Sequence, residues 1–194
     1  MEPSIKKAVR ADLKRRAEAL PEAYFREAGS RIIQKVLAFP AFRKASTLMA
    51  YVSMPTEPDT GSLISSARSE GKTVLLPRCA DRTRMEAVPF AGWESMRRGR
   101  YGIWEPTGPA SEETPEVILI PCVAAAPNGD RLGHGAGYYD RFLLRQPGLR
   151  ICLCFEAFLL DSLPAEAHDL KMDLVITENG CYPGESRGKP GASS

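Results

Sequence analysis

The stretch that decides the fold is TLMAYVSMPTEPDTGSLISSARSEGKTVLLP, residues 47–77. Its two ends, TLMAYV and TVLLP, are apolar runs of strand length. The segment between them can form a helix that Asp59 or Thr60 caps and that ends near Gly71. A strand, a helix and a second strand in this order are typical of parallel strand pairing with the helix on one face of the sheet.

Three more apolar runs of strand length follow, and YYDRFLLRQ, residues 138–146, supplies a helix between the first two of them. We therefore expect an α/β protein with a single-domain, Rossmann-like layered fold, in which helices flank a mostly parallel sheet. The segment MEAVPF, residues 85–90, can add an edge strand, where its proline is tolerated. The three runs are VILIP (117–121), RICLCF (150–155) and LVIT (174–177).

The two ends of the chain differ in character. Residues 5–20 have apolar positions at helical spacing, and Pro21 stands where a second helix, residues 21–39, can begin. The last residues, GESRGKPGASS (184–194), have no large apolar side chains to bury. We therefore predict two N-terminal helices, one folded domain over residues 1–183 and a disordered tail over residues 184–194.

The composition excludes several classes of protein. The 194 residues include 26 Lys and Arg against 24 Asp and Glu, a formal net charge of +2, so a sequence-wide basic footprint for nucleic acid or anionic lipid is absent. No window reaches the roughly 18 apolar residues of a membrane span, and the N-terminus lacks the apolar stretch of a secretion signal. We expect a cytoplasmic monomer without nucleic-acid or membrane partners.

The five cysteines are odd in number and form no C-x-x-C pair, so we expect reduced thiols and no structural zinc. Cys152 and Cys154 alternate along RICLCF, which places them on one face of a strand. Because free cysteine packs as a small apolar side chain, we predict that both are buried.

The stretch RLGHGAGYYDR, residues 131–141, has glycine at three alternate positions. It lacks the Gly-Lys-Ser/Thr ending of a P-loop and the G-x-G-x-x-G spacing of a dinucleotide turn. A glycine run that opens a helix presents several backbone N–H groups, which suits phosphate oxygens. A tight loop in which the glycines only supply positive φ explains the same residues, and the spacing leaves both interpretations open. The glycines are Gly133, Gly135 and Gly137.

Acidic residues in and after this stretch are candidates for a metal site. Asp140 can hold Mg²⁺ beside bound phosphates, or it can be a favourable charge in the first turn of a helix. The stretch LPAEAHDLKMDLVITE, residues 163–178, can supply a second carboxylate to the same metal, or its Asp169 and Asp173 can be capping and solvent-facing charges. We expect His168 to be structural or exposed and not a general base.

Six segments together resemble the 5-formyltetrahydrofolate cyclo-ligase family, in the family's order and over the whole chain. The glycine stretch with its YYD ending is the most specific of them. The resemblance implies an α/β fold and a reaction that converts 5-formyltetrahydrofolate and ATP to 5,10-methenyltetrahydrofolate, ADP and phosphate. It also implies Mg²⁺ as cofactor and a phosphorylated formyl group, an iminium phosphate, as intermediate. The segments are KKAVR (6–10), YVSMPTEPDT (51–60), LLPR (75–78), YGIWEP (101–106), RLGHGAGYYDR and LPAEAHDLKMDLVITE.

The resemblance also implies which residues hold ATP and lie near the reacting groups. Of these, Arg131 and Tyr139 are the candidate catalytic residues. Lys6 and Arg10 are four residues apart, hence on one face of the first helix, and without the resemblance they would be a solvated basic face. The implied ATP-binding residues are Lys6, Arg10, Arg131, Leu132, Gly133, His134, Gly135, Ala136, Gly137, Tyr138 and Tyr139.

The remaining residues implied by the resemblance concern the metal and the folate. Asp140 and Asp169 match the Mg²⁺ ligands. Val52 and Glu57 match the wall of the folate site, where Glu57 can accept hydrogen bonds from the donor groups of a reduced pterin. Without the resemblance, Glu57 would be a loop charge. We expect Trp104 to pack rather than to stack on the folate.

One stretch departs from the family. Where the family has a glycine, an aromatic and an aspartate after VILIP, this chain reads PCVAAAP, residues 121–127. The change favours one alternative function, a folate-binding or regulatory homologue without turnover. A second alternative is an ATP-dependent ligase or kinase that acts on another small acid or amide.

Overall fold

The computed structural model describes residues 5–166 and 169–185. His168 and residues 186–194 of the predicted tail lie outside the described residues. The helices are α1 (Ile5–Ala19), α2 (Glu22–Ala38), α3 (Pro40–Lys44), α4 (Gly61–Ser69) and α5 (Tyr138–Leu143). The strands are β1 (Thr47–Met49), β2 (Thr73–Cys79), β3 (Met85–Pro89), β4 (Met96–Arg98), β5 (Trp104–Pro106), β6 (Val117–Pro121), β7 (Ala124–Ala125), β8 (Arg131–Leu132), β9 (Leu149–Leu153), β10 (Leu174–Ile176) and β11 (Cys181–Pro183).

Seven strands form one sheet in the order β11-β10-β9-β6-β1-β2-β3. The five inner strands pair in parallel, whereas the two edge strands run antiparallel to their neighbours. The predicted α/β fold with a mostly parallel sheet is therefore confirmed, and the five predicted apolar runs are its parallel strands. MEAVPF contains β3, which lies at one edge and ends at Pro89, as its proline predicts.

The centre of the sheet is apolar on both faces. All five residues of β6 are buried, which is the pattern of a strand covered by helices on both sides. Ile32 and Val36, one turn apart on α2, belong to the same core as Leu63 and Ile64 of α4. Among the described residues, no helix combines the length and the apolar character needed to cross a bilayer.

The helix after the glycine stretch is shorter than predicted. It ends at Leu143 and not near residue 146. The N–H groups of Arg145 and Gln146 donate to carbonyls three residues back, so the chain leaves the helix through a tightened turn. Pro147 follows, and a proline disfavours helical backbone at the residue before it.

Two hairpins go beyond the predicted elements. β7 and β8 pair across the PNGD turn, and β4 and β5 pair across residues 99–103. β7 consists of two buried alanines, whose low strand propensity gives no signal in the sequence. These hairpins deliver the glycine stretch and one wall of the cavity described below.

The cysteines behave as predicted. Cys152 and Cys154 are buried in the core, and all five thiols are free. The Sγ of Cys122, the residue after β6, donates to the carbonyl oxygen of Leu153 at the end of β9, at 3.4 Å.

Candidate active site

A cavity of about 610 Å³ opens at the carboxyl ends of β1, β2 and β6. In α/β sheets, ligands bind outside the carboxyl ends of the strands. The cavity wall also includes residues of α1, of the β4–β5 hairpin and of the stretch that follows β8. Every residue that the resemblance implies for ATP, folate or Mg²⁺ lines this one cavity: Lys6, Arg10, Val52, Glu57, the unbroken run Arg131, Leu132, Gly133, His134, Gly135, Ala136, Gly137, Tyr138, Tyr139 and Asp140, and Asp169.

The glycine loop, residues 131–137, leads from β8 into α5 along the cavity. Gly135 and Gly137 have φ angles of +99° and +67°, a region that favours glycine. Gly133 lies outside this region, but a Cβ at Gly133 would be 2.8 Å from Nη1 of Arg131. Positive φ therefore explains two of the three glycines and close approach explains the third. Because the loop is both a tight turn and a cavity wall, the two interpretations of its glycines are compatible.

Arg131 directs its side chain towards Asp140. Its Nη2 donates to Oδ1 of Asp140 at 2.9 Å, and its Nη1 donates to the carbonyl oxygen of Pro121 at 3.3 Å. The guanidinium also lies 5.7 Å from the ring centroid of Tyr139, and the side chain is 4% exposed. Arg131 therefore fixes the orientation of Asp140 from inside the cavity wall.

Lys6 and Arg10 lie at the cavity and not on an open face of α1. The Nζ of Lys6 is 2.6 Å from Oδ2 of Asp169 and 3.0 Å from Oε2 of Glu166. Burial by itself lowers the pKa of Lys6, but hydrogen bonds and charge attraction from the two carboxylates together raise that pKa above its ordinary value. The Nε of Arg10 donates to the carbonyl oxygen of Gly133 at 2.7 Å. α1 is thus joined both to the acidic stretch and to the glycine loop.

Glu57 is buried beside the cavity, near Val52. Its Oε2 accepts a hydrogen bond from the backbone N–H of Met54 at 2.8 Å. Its Oε1 lies 3.0 Å from Nε2 of His134 in the glycine loop. A buried carboxylate requires such partners, because an unpaired one would lose its hydration without compensation.

The two tyrosines after the loop have different surroundings. Tyr138 donates its hydroxyl hydrogen to the carbonyl oxygen of Asp81 at 2.9 Å and lies 3.4 Å from the hydroxyl of Tyr101. Burial raises the pKa of Tyr139, and the charge of Glu57 adds to the rise. Tyr139 therefore stays protonated at neutral pH, where it can donate a hydrogen bond but cannot act as a base.

The β4–β5 hairpin supplies cavity residues for which the sequence predicted no role. Tyr101, Ile103 and Glu105 line the cavity, and they alternate as residues on one face of a strand do. Trp104 lies on the other face, 42% exposed, with the guanidinium of Arg98 at 4.3 Å from its ring. The alternation within YGIWEP is the signal that could have identified this wall.

Five carboxylates line the cavity: those of Glu57 and Glu105, described above, and those of Asp140, Glu166 and Asp169. The Oδ2 of Asp169 accepts from Lys6 and from the backbone N–H of Glu166 at 2.7 Å. Such oxygens suit Mg²⁺, which typically takes one or two carboxylates, waters and phosphate oxygens. Within residues 5–166 and 169–185, no three His, Cys, Asp or Glu side chains are grouped to enclose a metal ion.

The stretch PCVAAAP lies mostly behind the cavity wall. Pro121 lines the cavity, whereas Cys122 and Ala126 are buried in the core. The N–H of Ala126 donates to the carbonyl oxygen of Asp130 within the β7–β8 hairpin. The stretch that departs from the family pattern therefore contributes Pro121 to the cavity wall and supports the glycine loop through the β7–β8 hairpin.

Fold and site together define a class: Rossmann-like α/β proteins whose ligand cavity lies at the carboxyl edge of the sheet, walled by a glycine loop, basic side chains and carboxylates. A model of the 5-formyltetrahydrofolate cyclo-ligase family matches residues 3–178. The chain belongs to that family.

Relatives resemble the chain over most of its length. It is 32% identical over 188 residues to the 5-formyltetrahydrofolate cyclo-ligase of Mycolicibacterium smegmatis, covering 91% of this chain and 95% of that one. It is 30% identical over 166 residues to a probable 5-formyltetrahydrofolate cyclo-ligase of Schizosaccharomyces pombe, covering 75% and 81%. The NMR structure of Aquifex aeolicus 5,10-methenyltetrahydrofolate synthetase aligns with a TM-score of 0.83 at 26% identity, over 98% of this chain and 100% of that one.

Proposed function

We propose that this protein catalyses the ATP- and Mg²⁺-dependent cyclisation of 5-formyltetrahydrofolate to 5,10-methenyltetrahydrofolate, with release of ADP and phosphate. The observation that carries the proposal is that all residues implied for nucleotide, metal and folate line one cavity, although they come from both ends and the middle of the chain. Membership of the cyclo-ligase family supports the same reaction.

The chemistry explains why ATP is needed. A formamide oxygen is a weak nucleophile and a poor leaving group. In the proposed reaction the formyl oxygen attacks the γ-phosphorus of ATP and ADP leaves, which gives an iminium phosphate. The nitrogen at position 10 then attacks the formyl carbon and loses its proton, and cleavage of the carbon–oxygen bond releases phosphate. The protein has to align the formyl oxygen with the γ-phosphate and stabilise the negative charge.

We assign the nucleotide to the side of the cavity formed by α1 and the glycine loop. Lys6 and Arg10 supply positive charge, and backbone N–H groups of the loop can donate to phosphate oxygens. Asp140 and Asp169 would hold Mg²⁺, which supplies neutralisation of phosphate charge when it is bound. In this assignment Arg131 acts by orienting Asp140, to which it is paired.

We assign the folate to the side formed by Val52, Glu57 and the β4–β5 hairpin. Glu57 accepts hydrogen bonds from the pterin, and Tyr101 and Ile103 provide apolar contact. Tyr139 lies between the two sides, where its protonated hydroxyl can donate to the reacting groups. The cavity volume of about 610 Å³ is in the range of small-molecule sites.

We propose that the catalytic domain spans residues 1–183. The near-neutral net charge of +2 supports a protein without nucleic-acid or membrane partners. We further propose a cytoplasmic monomer.

The test is incubation of the folded protein with 5-formyltetrahydrofolate and MgATP, with formation of the methenyl chromophore as the readout. A family member of known activity serves as the positive control. Omitting ATP or chelating Mg²⁺ should abolish product formation. No product from folded protein, while the positive control turns over, would contradict the proposal.

Two further measurements separate the alternatives. A folate-binding homologue without turnover would bind 5-formyltetrahydrofolate in calorimetry and consume no ATP. A ligase or kinase for another small acid or amide would release ADP with that substrate and none with the formylfolate.

A further inference from the structure

We infer that His134 is a positioning residue that couples folate binding to nucleotide binding, an inference that rests on the proposed function. His134 belongs to the glycine loop, and Glu57 belongs to the segment after β1. The two residues are 77 positions apart in the chain, and Nε2 of His134 lies 3.0 Å from Oε1 of Glu57. The contact joins the wall assigned to the nucleotide with the wall assigned to the folate.

The contact is asymmetric in burial. The Glu57 side chain is 3% exposed, whereas the His134 side chain is 47% exposed. Glu57 therefore depends on its protein partners for hydrogen bonds, since little water reaches it. Met54 supplies one partner from the same segment, and His134 supplies the other from across the cavity. When the Glu57 carboxylate is ionised it can only accept hydrogen bonds, and Nε2 of His134 is then the donor.

Glu57 can keep this bond and still receive a pterin. Each carboxylate oxygen has two lone pairs, so Oε1 can accept from His134 and from a ligand donor at the same time. His134 then fixes the orientation of the Glu57 carboxylate to which the pterin binds. Removing the imidazole would leave Oε1 without that donor and the carboxylate free to turn away from the pterin.

The other hydrogen bonds of the glycine loop lead to different elements. Gly133 accepts from Arg10 of α1 at 2.7 Å, and Ala136 accepts from Arg141 of α5 at 2.7 Å. His134 extends this network to the segment after β1. A nucleotide that contacts the loop therefore also restrains His134 and, through it, Glu57.

The energetic consequence is positive coupling between the two substrates. A nucleotide that restrains the loop in this conformation removes part of the entropy cost of holding the His134–Glu57 contact when folate binds, so the folate binds more tightly. By thermodynamic linkage, folate must tighten nucleotide binding by the same factor.

The experiment measures the dissociation constant of 5-formyltetrahydrofolate by calorimetry, without nucleotide and with a saturating, non-hydrolysable ATP analogue and Mg²⁺. For the unmodified protein we expect the analogue to tighten folate binding at least about fivefold, the lower range of typical allosteric coupling. In His134→Ala the ratio of the dissociation constants without and with the analogue should fall close to one. In His134→Gln most of the ratio should remain, because the glutamine amide can donate from a position similar to Nε2.

A double-mutant cycle ties the effect to the proposed partner. In a Glu57→Gln background, His134→Ala should cause no further loss of coupling. A ratio in His134→Ala equal to that of the unmodified protein would overturn the inference, as would the absence of coupling in an unmodified protein that binds both ligands. These binding measurements involve no chemistry, so failure of the proposed function would show separately, as binding of both ligands without methenyl product.

Discussion

Nη2 of Arg131 and Oδ1 of Asp140 are 2.9 Å apart, and the arginine side chain that makes this contact is 4% exposed. Arg131 begins the stretch RLGHGAGYYD, and an arginine at the start of a proposed phosphate-binding loop suggests direct contact with the nucleotide. In the structure its guanidinium donates to the carboxylate of Asp140 and to the carbonyl oxygen of Pro121. The pair therefore connects the stability of the loop with the position of a proposed metal ligand.

Asp140→Asn separates the structural role of Asp140, as the partner of Arg131, from its proposed role as a Mg²⁺ ligand. The amide oxygen can still accept from Arg131, so we expect a loss of about 1 kcal/mol in the free energy of unfolding. The Mg²⁺ concentration for half-maximal activity should rise at least about tenfold, because one anionic ligand is lost. Chemical denaturation and Mg²⁺ titration of the assay measure the two effects, and binding of Mn²⁺ in the presence of nucleotide provides a readout without turnover.

Asp140→Ala should be less stable than Asp140→Asn. It leaves the buried guanidinium of Arg131 without its carboxylate, a change that costs about 3 kcal/mol in buried ion pairs. An unchanged Mg²⁺ requirement in Asp140→Asn would contradict the metal role and leave Asp140 as the structural partner of Arg131.

Gly135→Ala tests the glycine loop against a matched control, Gly71→Ala. Both glycines have positive φ, +99° and +82°, so each substitution should reduce the free energy of unfolding by about 1–2 kcal/mol. A Cβ at Gly135 would lie 3.4 Å from Cζ of Arg10, whereas a Cβ at Gly71 has nothing within 4 Å. We expect the KM for ATP to rise several-fold in Gly135→Ala alone. Equal ATP kinetics in the two variants would argue that the loop is only a turn.

Tyr101→Ala tests whether the β4–β5 hairpin forms part of the folate site. Tyr101 lines the cavity and is 56% exposed, so its loss should change stability little and raise the KM for 5-formyltetrahydrofolate about tenfold. Trp104→Ala on the same hairpin is the control, since Trp104 faces Arg98 and lies outside the cavity lining. A larger effect on folate KM from Trp104→Ala would reverse the assignment of the two faces.

Lys6→Met should reduce stability in a pH-dependent way. Because the folded-state pKa of Lys6 is raised above its ordinary value of 10.5, the charged form stabilises the fold. This contribution is fully present below about pH 10 and is lost as the pH rises through the folded-state pKa. The difference in the free energy of unfolding between the unmodified protein and Lys6→Met should therefore shrink in strongly alkaline solution.

Lys14→Met is the control for this series. Lys14 lies on the same helix, 79% exposed, with a carboxylate oxygen of Glu18 at 4.0 Å, and exposed pairs of this kind contribute little. Urea denaturation at several pH values compares the three proteins. If the difference in the free energy of unfolding between the unmodified protein and Lys6→Met stayed constant up to the most alkaline pH, the proposed contribution of the Lys6 charge would be contradicted.

The sequence predicted the parts of the fold that depend on local pattern. VILIP and RICLCF are continuous apolar runs, as strands covered on both faces must be, and both are inner strands of the sheet. Ala124 and Ala125 form a strand as well, but alanine has no strand pattern, so the hairpin that holds the glycine loop had no local signal.

For the site, the sequence predicted the participants but not their pairing. The motifs identified the cavity-lining residues by resemblance, whereas periodicity alone would have left Lys6 and Arg10 on a solvated face. The contacts of Glu57 with His134 and of Arg131 with Asp140 depend on how separate elements pack. No local sequence pattern encodes such contacts. Glu166 was missed for the same reason, because its partner Lys6 lies near the other end of the chain.

On the ribosome, the contact between Lys6 and Asp169 is completed late. The two residues are separated by 163 positions, which at a synthesis rate of about 5–20 residues per second take roughly 8–30 s to emerge. α1 and several strands of the sheet are available during that time, but the acidic partner of Lys6 is not. A nascent chain stalled before Asp169 would therefore carry much of the apolar core and still lack a finished ligand site.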